Sequence, residues 1–276
     1  MSTAETRSPA TLPPRAALFL PASNPRAIEK ARTLAVDMLI LDLEDAVKPE
    51  DKGAARAAAV AAAGSFGDRP VAIRINGEDT PWFAEDLRAV AASGASHVVL
   101  PKAERAATIA QVHAATRRPV LAMIESPAAV LAIAPLVEAE GLCGLIAGTN
   151  DLALSLGLPP GAPRTAMAMA LQTIVLAARA RGLWAIDGVF NALDDEAGLI
   201  AEARAGRLLG FDGKAVIHPA QIAGATGAFG PDAAEVEDAR ALIAAATGGA
   251  ERFRGRMIEA LHVAQAERIV ARAARG

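Results

Sequence analysis

Eight short apolar runs without helical spacing set the tightest limit on how this chain can fold. They cover residues 16–20, 38–42, 71–76, 97–101, 120–125, 145–150, 184–189 and 214–218. Each resembles a strand buried on both faces, as in a parallel sheet. The segments between them carry helix punctuation. Asn24-Pro25, Thr80-Pro81 and Ser126-Pro127 each pair a capping side chain with a proline at the first helical position, and Gly182 closes the long helix before the seventh run. So many alternations of strand and helix predict an α/β fold, a closed (β/α)8 TIM barrel rather than an open doubly wound sheet. No G-x-G-x-x-G follows the first run, which also disfavours the open sheet.

Past the eighth run, two helical stretches at 232–246 and 256–274 are separated by Gly248-Gly249 and a turn at 253–255. A closed barrel does not need them, so they form a C-terminal helical extension, a lid or an arm that packs on a neighbouring subunit. The expected organisation is a flexible N-terminal tail over 1–14, a catalytic barrel over 15–230 and the arm over 231–276.

Of the 276 residues 53% are hydrophobic, yet no apolar run reaches membrane-spanning length before a charge interrupts it. The first residues mix Ser, Thr, Glu, Arg and Pro without the apolar core of a signal peptide, and a cytoplasmic protein is expected. The net charge is −3, with Lys and Arg scattered rather than gathered into a stripe, which argues against nucleic-acid binding. Cys143 is the only cysteine and is read as buried and structural. His97, His113 and His262 lack zinc-ligand spacing, and no glycine-rich phosphate cradle is present, which argues against nucleotide hydrolysis.

Catalytic groups in a barrel gather where the strands end, because those loops open onto a common mouth. The strand ends present Glu44 and Asp45, Arg74 and Asn76, Lys102, Glu125, Asn150-Asp151, Asp187 and His218. Glu125 emerges from the apolar Leu121-Ala122-Met123-Ile124, where an unpaired charge costs several kcal/mol, so it needs a cation. Asp151, one strand over, could share it. Two carboxylates completed by water and substrate oxygens suit Mg2+, while a salt bridge to Arg74 or Lys102 would serve the same electrostatic need; spacing leaves both open. Arg74 lies inside an apolar strand and calls for an anion: a substrate carboxylate or enolate oxygen, or else Glu44 or Asp45 in a structural network. In Leu41-Asp42-Leu43-Glu44-Asp45, Asp42 and Glu44 share one strand face and Asp45 starts the loop. Glu44 and Asp45 are expected to support metal-bound water, the alternative being a plain solvated charge cluster. His218, followed by Pro219, is read as a hydrogen-bonded structural residue, with a general base as the alternative.

These residues resemble the citrate lyase beta-subunit-like proteins of the HpcH/HpaI aldolase superfamily, which includes malyl-CoA and citramalyl-CoA lyases. The likeness runs from Arg15-Ala16-Ala17-Leu18-Phe19-Leu20-Pro21 to the last helix. It is most specific in Leu41-Asp42-Leu43-Glu44-Asp45-Ala46-Val47, in Arg74-Ile75-Asn76 with Thr80-Pro81-Trp82, and in Leu100-Pro101-Lys102-Ala103-Glu104. Gly210-Phe211-Asp212-Gly213-Lys214 with Ile217-His218-Pro219 completes the set. The resemblance implies Mg2+ held by Glu125 and Asp151, with Arg74 binding the substrate and its thioester oxygen. Lys102 and Asn76 are further candidates for substrate contact, and Glu44 and Asp45 for catalytic support. It also implies a homotrimer or hexamer in which the arm of one subunit covers the mouth of the next.

Two departures bear on the reaction. The family's CoA-thioester enzymes usually present an arm aspartate where this chain has Met257-Ile258-Glu259, so the candidate acid Glu259 is one methylene longer. The string Gly148-Thr149-Asn150-Asp151-Leu152 leans toward the 2-oxoacid aldolases. The expected activity is Mg2+-dependent cleavage or formation of a 3-hydroxyacyl-CoA such as citramalyl-, malyl- or citryl-CoA, with acetyl-CoA and a 2-oxo acid on the other side. The alternatives are an aldolase on a free hydroxy-oxo acid, a malyl-CoA-type thioesterase, and a citryl-carrier lyase subunit with an acyl-carrier partner.

Overall fold

The computed structural model describes residues 12–274. Eight parallel strands close on themselves in sequence order: β1 Ala16–Pro21, β2 Met38–Asp42, β3 Val71–Arg74, β4 His97–Leu100, β5 Val120–Ile124, β6 Leu142–Ala147, β7 Trp184–Asp187 and β8 Gly213–Val216. β1 pairs with both β2 and β8, with Ala17 opposite Met38 on one side and Leu18 opposite Val216 on the other. The helices that return the chain are α1 Pro25–Lys30, α2 Lys52–Ala63, α3 Phe83–Ala91, α4 Ala106–Thr116, α5 Pro127–Leu131, α6 Ile133–Leu136, α7 Thr149–Ser155, α8 Ala168–Ala180, α9 Glu196–Leu209 and α10 Gln221–Phe229. The fold is the expected (β/α)8 barrel. Most of the expected tail lies outside the described residues.

Alternate strand residues serve two cores. Leu18, Leu39, Leu41 and Val98 pack outward against the helices, while Phe19, Ile40, Leu121 and Ile186 fill the barrel. Both faces are therefore apolar, which is why the runs show no polar alternation. Along the barrel axis the filling changes character. At the base the rings of His97 and Trp184 lie 5.4 Å apart, and at the opposite end the inward positions become Asp42, Arg74 and Glu125.

Local signals are met in part. Asn24 and Ser126 accept from the backbone N–H of Ala27 and Ala129, each ahead of its proline. Thr80 does not cap a helix: its hydroxyl donates to the Gly77 carbonyl at 2.7 Å and α3 starts only at Phe83. β6 begins earlier than expected because Cys143 is an extra residue in the pairing with β5, where Val120 stands opposite Leu142 and Leu121 opposite Gly144. Its Sγ donates to the Val120 carbonyl at 3.2 Å, and burial pushes the thiol pKa up to about 12, which fits a structural residue.

The C-terminal extension has a small core of its own, Ala239, Leu242, Ile258 and Ala266. α11, Ala233–Ala245, starts at a capping box formed by Asp232 and Glu235. The expected second helix is shorter than its pattern. Arg256–Ile258 is a strand, β10, paired antiparallel with β9, Glu251–Phe253, through a two-residue turn in which Arg254 and Gly255 take φ of 46° and 81°. α12, Ala260–Ala273, follows, and near its end Arg272 donates to the carbonyls of Phe229 and Asp212, docking the helix beside the start of β8.

Candidate active site

The polar end of the barrel opens into a cavity of about 370 Å³. Arg74, Glu125, Asp45 and Asp151 line it together with Phe19, Met123 and Gly148. Four of the expected site residues are thus brought to one place.

Arg74 is fixed from three sides. Register sets Asp42 of β2 beside Arg74 of β3, and the guanidinium grips that carboxylate through Nε and Nη2, both at 2.6 Å. The Phe19 ring lies 4.9 Å from its carbon. Nη1 stands 2.9 Å from Glu44 Oε2 without hydrogen-bond alignment, so this buried oxygen keeps an unmade bond. Burial works against the Arg74 charge, but Asp42, Glu44 and Asp45 outweigh it and raise the pKa further. Asp42 also accepts from the N–H of Glu44 at 2.9 Å and of Ala46 at 3.2 Å, bending the chain into the loop that carries Glu44 and Asp45.

Glu44 and Asp45 meet Lys102. The Lys102 ammonium bonds Glu44 Oε1 and stands 3.9 Å from both Asp45 and Asp151. Burial lowers the Lys102 pKa, yet the Glu44 hydrogen bond and the surrounding acids carry it above its ordinary value. Glu44 itself is raised, mainly by burial and also by Asp45, against the opposing pull of Arg74 and Lys102. Behind it, Lys52 donates to the carbonyls of Leu43 and Glu44, both at 2.7 Å, and rests 5.1 Å from the Trp82 ring. Burial lowers the Lys52 pKa.

Glu125 accepts the backbone N–H of Lys102 at 2.5 Å, and Lys102 takes the left-handed φ of 49°. Such a backbone is sparsely populated by residues other than glycine and concentrates at functional sites. Burial first, then Glu44 and Asp151, push the Glu125 pKa up to about 7. Gly148 is necessary beside it: a Cβ there would lie 2.3 Å from Glu125 Cβ and 2.5 Å from Oε2.

The donor set fits a hard divalent cation. Five carboxylates, Asp42, Glu44, Asp45, Glu125 and Asp151, are gathered against Arg74, Lys102 and Lys52. No group of three His, Cys, Asp or Glu forms a ready ligand cluster among the described residues. Glu125 and Asp151 would therefore supply two ligands and leave the remainder to water and substrate oxygens, a division typical of Mg2+. The unmade bond of Glu44 Oε2 suits a bound water.

Other expected residues lie elsewhere. Asn76 turns away from the cavity, its side chain and backbone N–H both bonded to Asp86, which Arg56 also holds; it is a structural link to α3, and its geometry does not support substrate contact. Asp187 faces outward and pairs with Lys214 and Arg164. His218 accepts from the Ala220 N–H, a local turn bond in keeping with a structural role. Glu259 does not line the cavity of its own chain: it caps α12, and its N–H donates to His262 Nδ1 at 2.9 Å. The sequence assigns no role to Phe19 or Lys52, and leaves Asp42 only on one of two alternate faces that can look into the mouth. Asp42 was accessible through its shared face with Glu44.

The sequence pattern of the HpcH/HpaI aldolase/citrate lyase family matches residues 15–219. A (3S)-malyl-CoA thioesterase of Cereibacter sphaeroides is 42% identical over 270 residues, 95% of either chain. The citrate lyase subunit beta-like protein of Mycobacterium tuberculosis is 35% identical over 268 residues, 93% of this chain and 94% of that one. Among solved structures, protein CitE of Mycobacterium tuberculosis in complex with magnesium, acetoacetate and coenzyme A superposes with a TM-score of 0.83 at 35% identity. That match covers 96% of this chain and 99% of the other.

Proposed function

Because the chain belongs to the HpcH/HpaI aldolase/citrate lyase family, we propose that it is a Mg2+-dependent enzyme acting on a 3-hydroxyacyl-CoA thioester of the malyl class, with hydrolysis of the thioester as the reaction. The observation that carries this reading is the gathering of carboxylates around the buried Glu125, whose pKa burial, Glu44 and Asp151 raise and whose charged form a cation would favour. The likeness to a malyl-CoA thioesterase over 95% of both chains supports the choice of substrate and reaction, and a magnesium and coenzyme A complex of a structural neighbour supports the metal and the thioester.

Bound between Glu125 and Asp151, the ion would supply Lewis-acid polarisation of substrate oxygens. The chain's own residues do the rest. Asp42 holds the Arg74 guanidinium at the cavity wall, where it donates to the thioester oxygen as negative charge grows there. Lys102, tied to Glu44, offers its ammonium to the substrate's carboxylate. Glu259 of a neighbouring subunit accepts a proton from the attacking water, the thiolate of CoA leaves, and malate and CoA are the products.

Carbon-carbon cleavage is the second reading, favoured by the citrate lyase beta-like relatives. Malyl-CoA incubated with the protein and Mg2+ separates the two, since hydrolysis yields malate and free CoA thiol while cleavage yields glyoxylate and acetyl-CoA. Either activity should fall by at least ~10³-fold in Glu125→Gln and Asp151→Asn. Full metal-dependent turnover in both variants would defeat the assignment.

A further inference from the structure

The Gly213-Lys214 motif, among the most specific stretches of the sequence, does not reach the cavity. Lys214 and Asp187 have no exposed side-chain surface and lie on the outer side of β7 and β8. The Lys214 ammonium bonds Glu202 Oε1 at 2.7 Å, the Gly188 carbonyl at 2.7 Å and Asp187 Oδ2 at 3.3 Å. Arg164, from the segment between α7 and α8, closes the set by pairing with Asp187 at 2.5 Å and Glu202 at 3.2 Å. Two acids and two bases are balanced here, Lys214 and Asp187 fully buried and Arg164 and Glu202 partly exposed. Buried ionic sets seldom out-stabilise apolar side chains of equal volume, whereas they do fix geometry.

What this set fixes is the backbone on either side of Gly188. Its carbonyl accepts from Lys214 and its N–H donates to Asp187 Oδ1 at 2.7 Å. Gly188 in turn is seated against the end of β6: a Cβ there would fall 2.5 Å from Thr149 Oγ1 and 2.8 Å from the Ala147 carbonyl. Three residues on, the Asn191 side chain donates to Asn150 Oδ1 at 2.7 Å and accepts from Asn150 Nδ2 at 3.4 Å. Asn150 immediately precedes Asp151, which lines the cavity.

We infer that Asp187, Lys214, Glu202 and Arg164 are positioning residues for Asp151: they clamp Gly188, and Gly188 with Asn191 holds the Thr149-Asn150-Asp151 turn in register with Glu125. The inference rests on the proposed metal role of Asp151, but its mechanical half stands independently.

Arg164→Gln tests it, since Lys214 remains to neutralise Asp187. Hydrogen exchange of the metal-free protein should rise selectively at residues 147–152, and Mn2+, titrated by calorimetry, should bind about 10-fold more weakly. Arg164→Lys should restore both. A merely structural role would lower the melting temperature without a local exchange signature. Unchanged exchange at 147–152, or exchange that rises while Mn2+ affinity stays the same, overturns the inference. If the wild-type chain takes up no Mn2+, the functional reading falls and exchange alone decides the clamp. Should Arg164→Gln fail to fold, the paired replacement Asp187→Leu with Lys214→Met, which keeps the Arg164–Glu202 contact, carries the same expectations.

Discussion

At the scale of single residues, Arg74 owes its place to Asp42 more than to any ligand. Two nitrogens are committed to that carboxylate and Phe19 covers one face of the group, so only its edge is free for substrate. Arg74→Met would leave Asp42, 1% exposed, as a buried charge without its partner, a loss of about 3–5 kcal/mol. Urea unfolding should show that loss, and the double replacement with Asp42→Asn, which removes the charge and keeps an acceptor for the Glu44 N–H, should recover part of the stability while turnover stays absent. Recovery of activity in the double variant would mean that Arg74 serves the fold alone. The sequence makes Arg74 and Glu125 legible because a charge in or directly after an apolar strand demands an explanation, and Asp151 because it stands just past the end of the sixth apolar run. Asp42 was harder to see: alternation divides Leu41-Asp42-Leu43-Glu44-Asp45 into two faces, and only the pairing of Asp42 with Arg74 tells which face looks inward.

At the scale of elements, the strands carry a change of environment from base to mouth. His97 sits at the start of β4 beside Trp184 at the start of β7, and burial lowers its pKa to about 4. An unfolded histidine titrates near 6.5. Between these values the unfolded chain binds the proton that the folded chain refuses, so stability falls as pH drops from about 6.5 to about 4 and levels off below. The expected loss is on the order of 3 kcal/mol. Denaturant midpoints of the wild type and His97→Gln across this range should diverge in slope; parallel curves would show that the ring is protonated in the fold. Strand positions were readable from the apolar runs, but their ends were not. β3 stops at Arg74 and β6 starts at Leu142, because pairing partners and the extra Cys143 set those limits. Likewise Arg256–Ile258 shares the polarity of a helix and becomes a strand through its turn and partner.

At the scale of the whole molecule, no helix among the described residues is long and apolar enough to cross a membrane. The arm docks its last helix through Arg272 next to the start of β8, at the end of the barrel opposite the cavity. Glu259 heads that helix and stays away from its own active site, flanked by the exposed Met257 and Leu261. If the arm reaches a neighbour, two inactive variants should complement each other: co-expressed Glu125→Gln and Glu259→Gln chains would recover on the order of a quarter of wild-type turnover by random assembly. No recovery from mixed oligomers would place Glu259 outside catalysis between subunits.

The gradient inside the barrel, from the His97–Trp184 rings to the Arg74 and Glu125 charges, separates two kinds of evolutionary freedom. Sequence change near the ring end is expected to tune heat tolerance, and change near the charged end to retune chemistry. A library confined to the lower positions could therefore harden the enzyme without redirecting what it does.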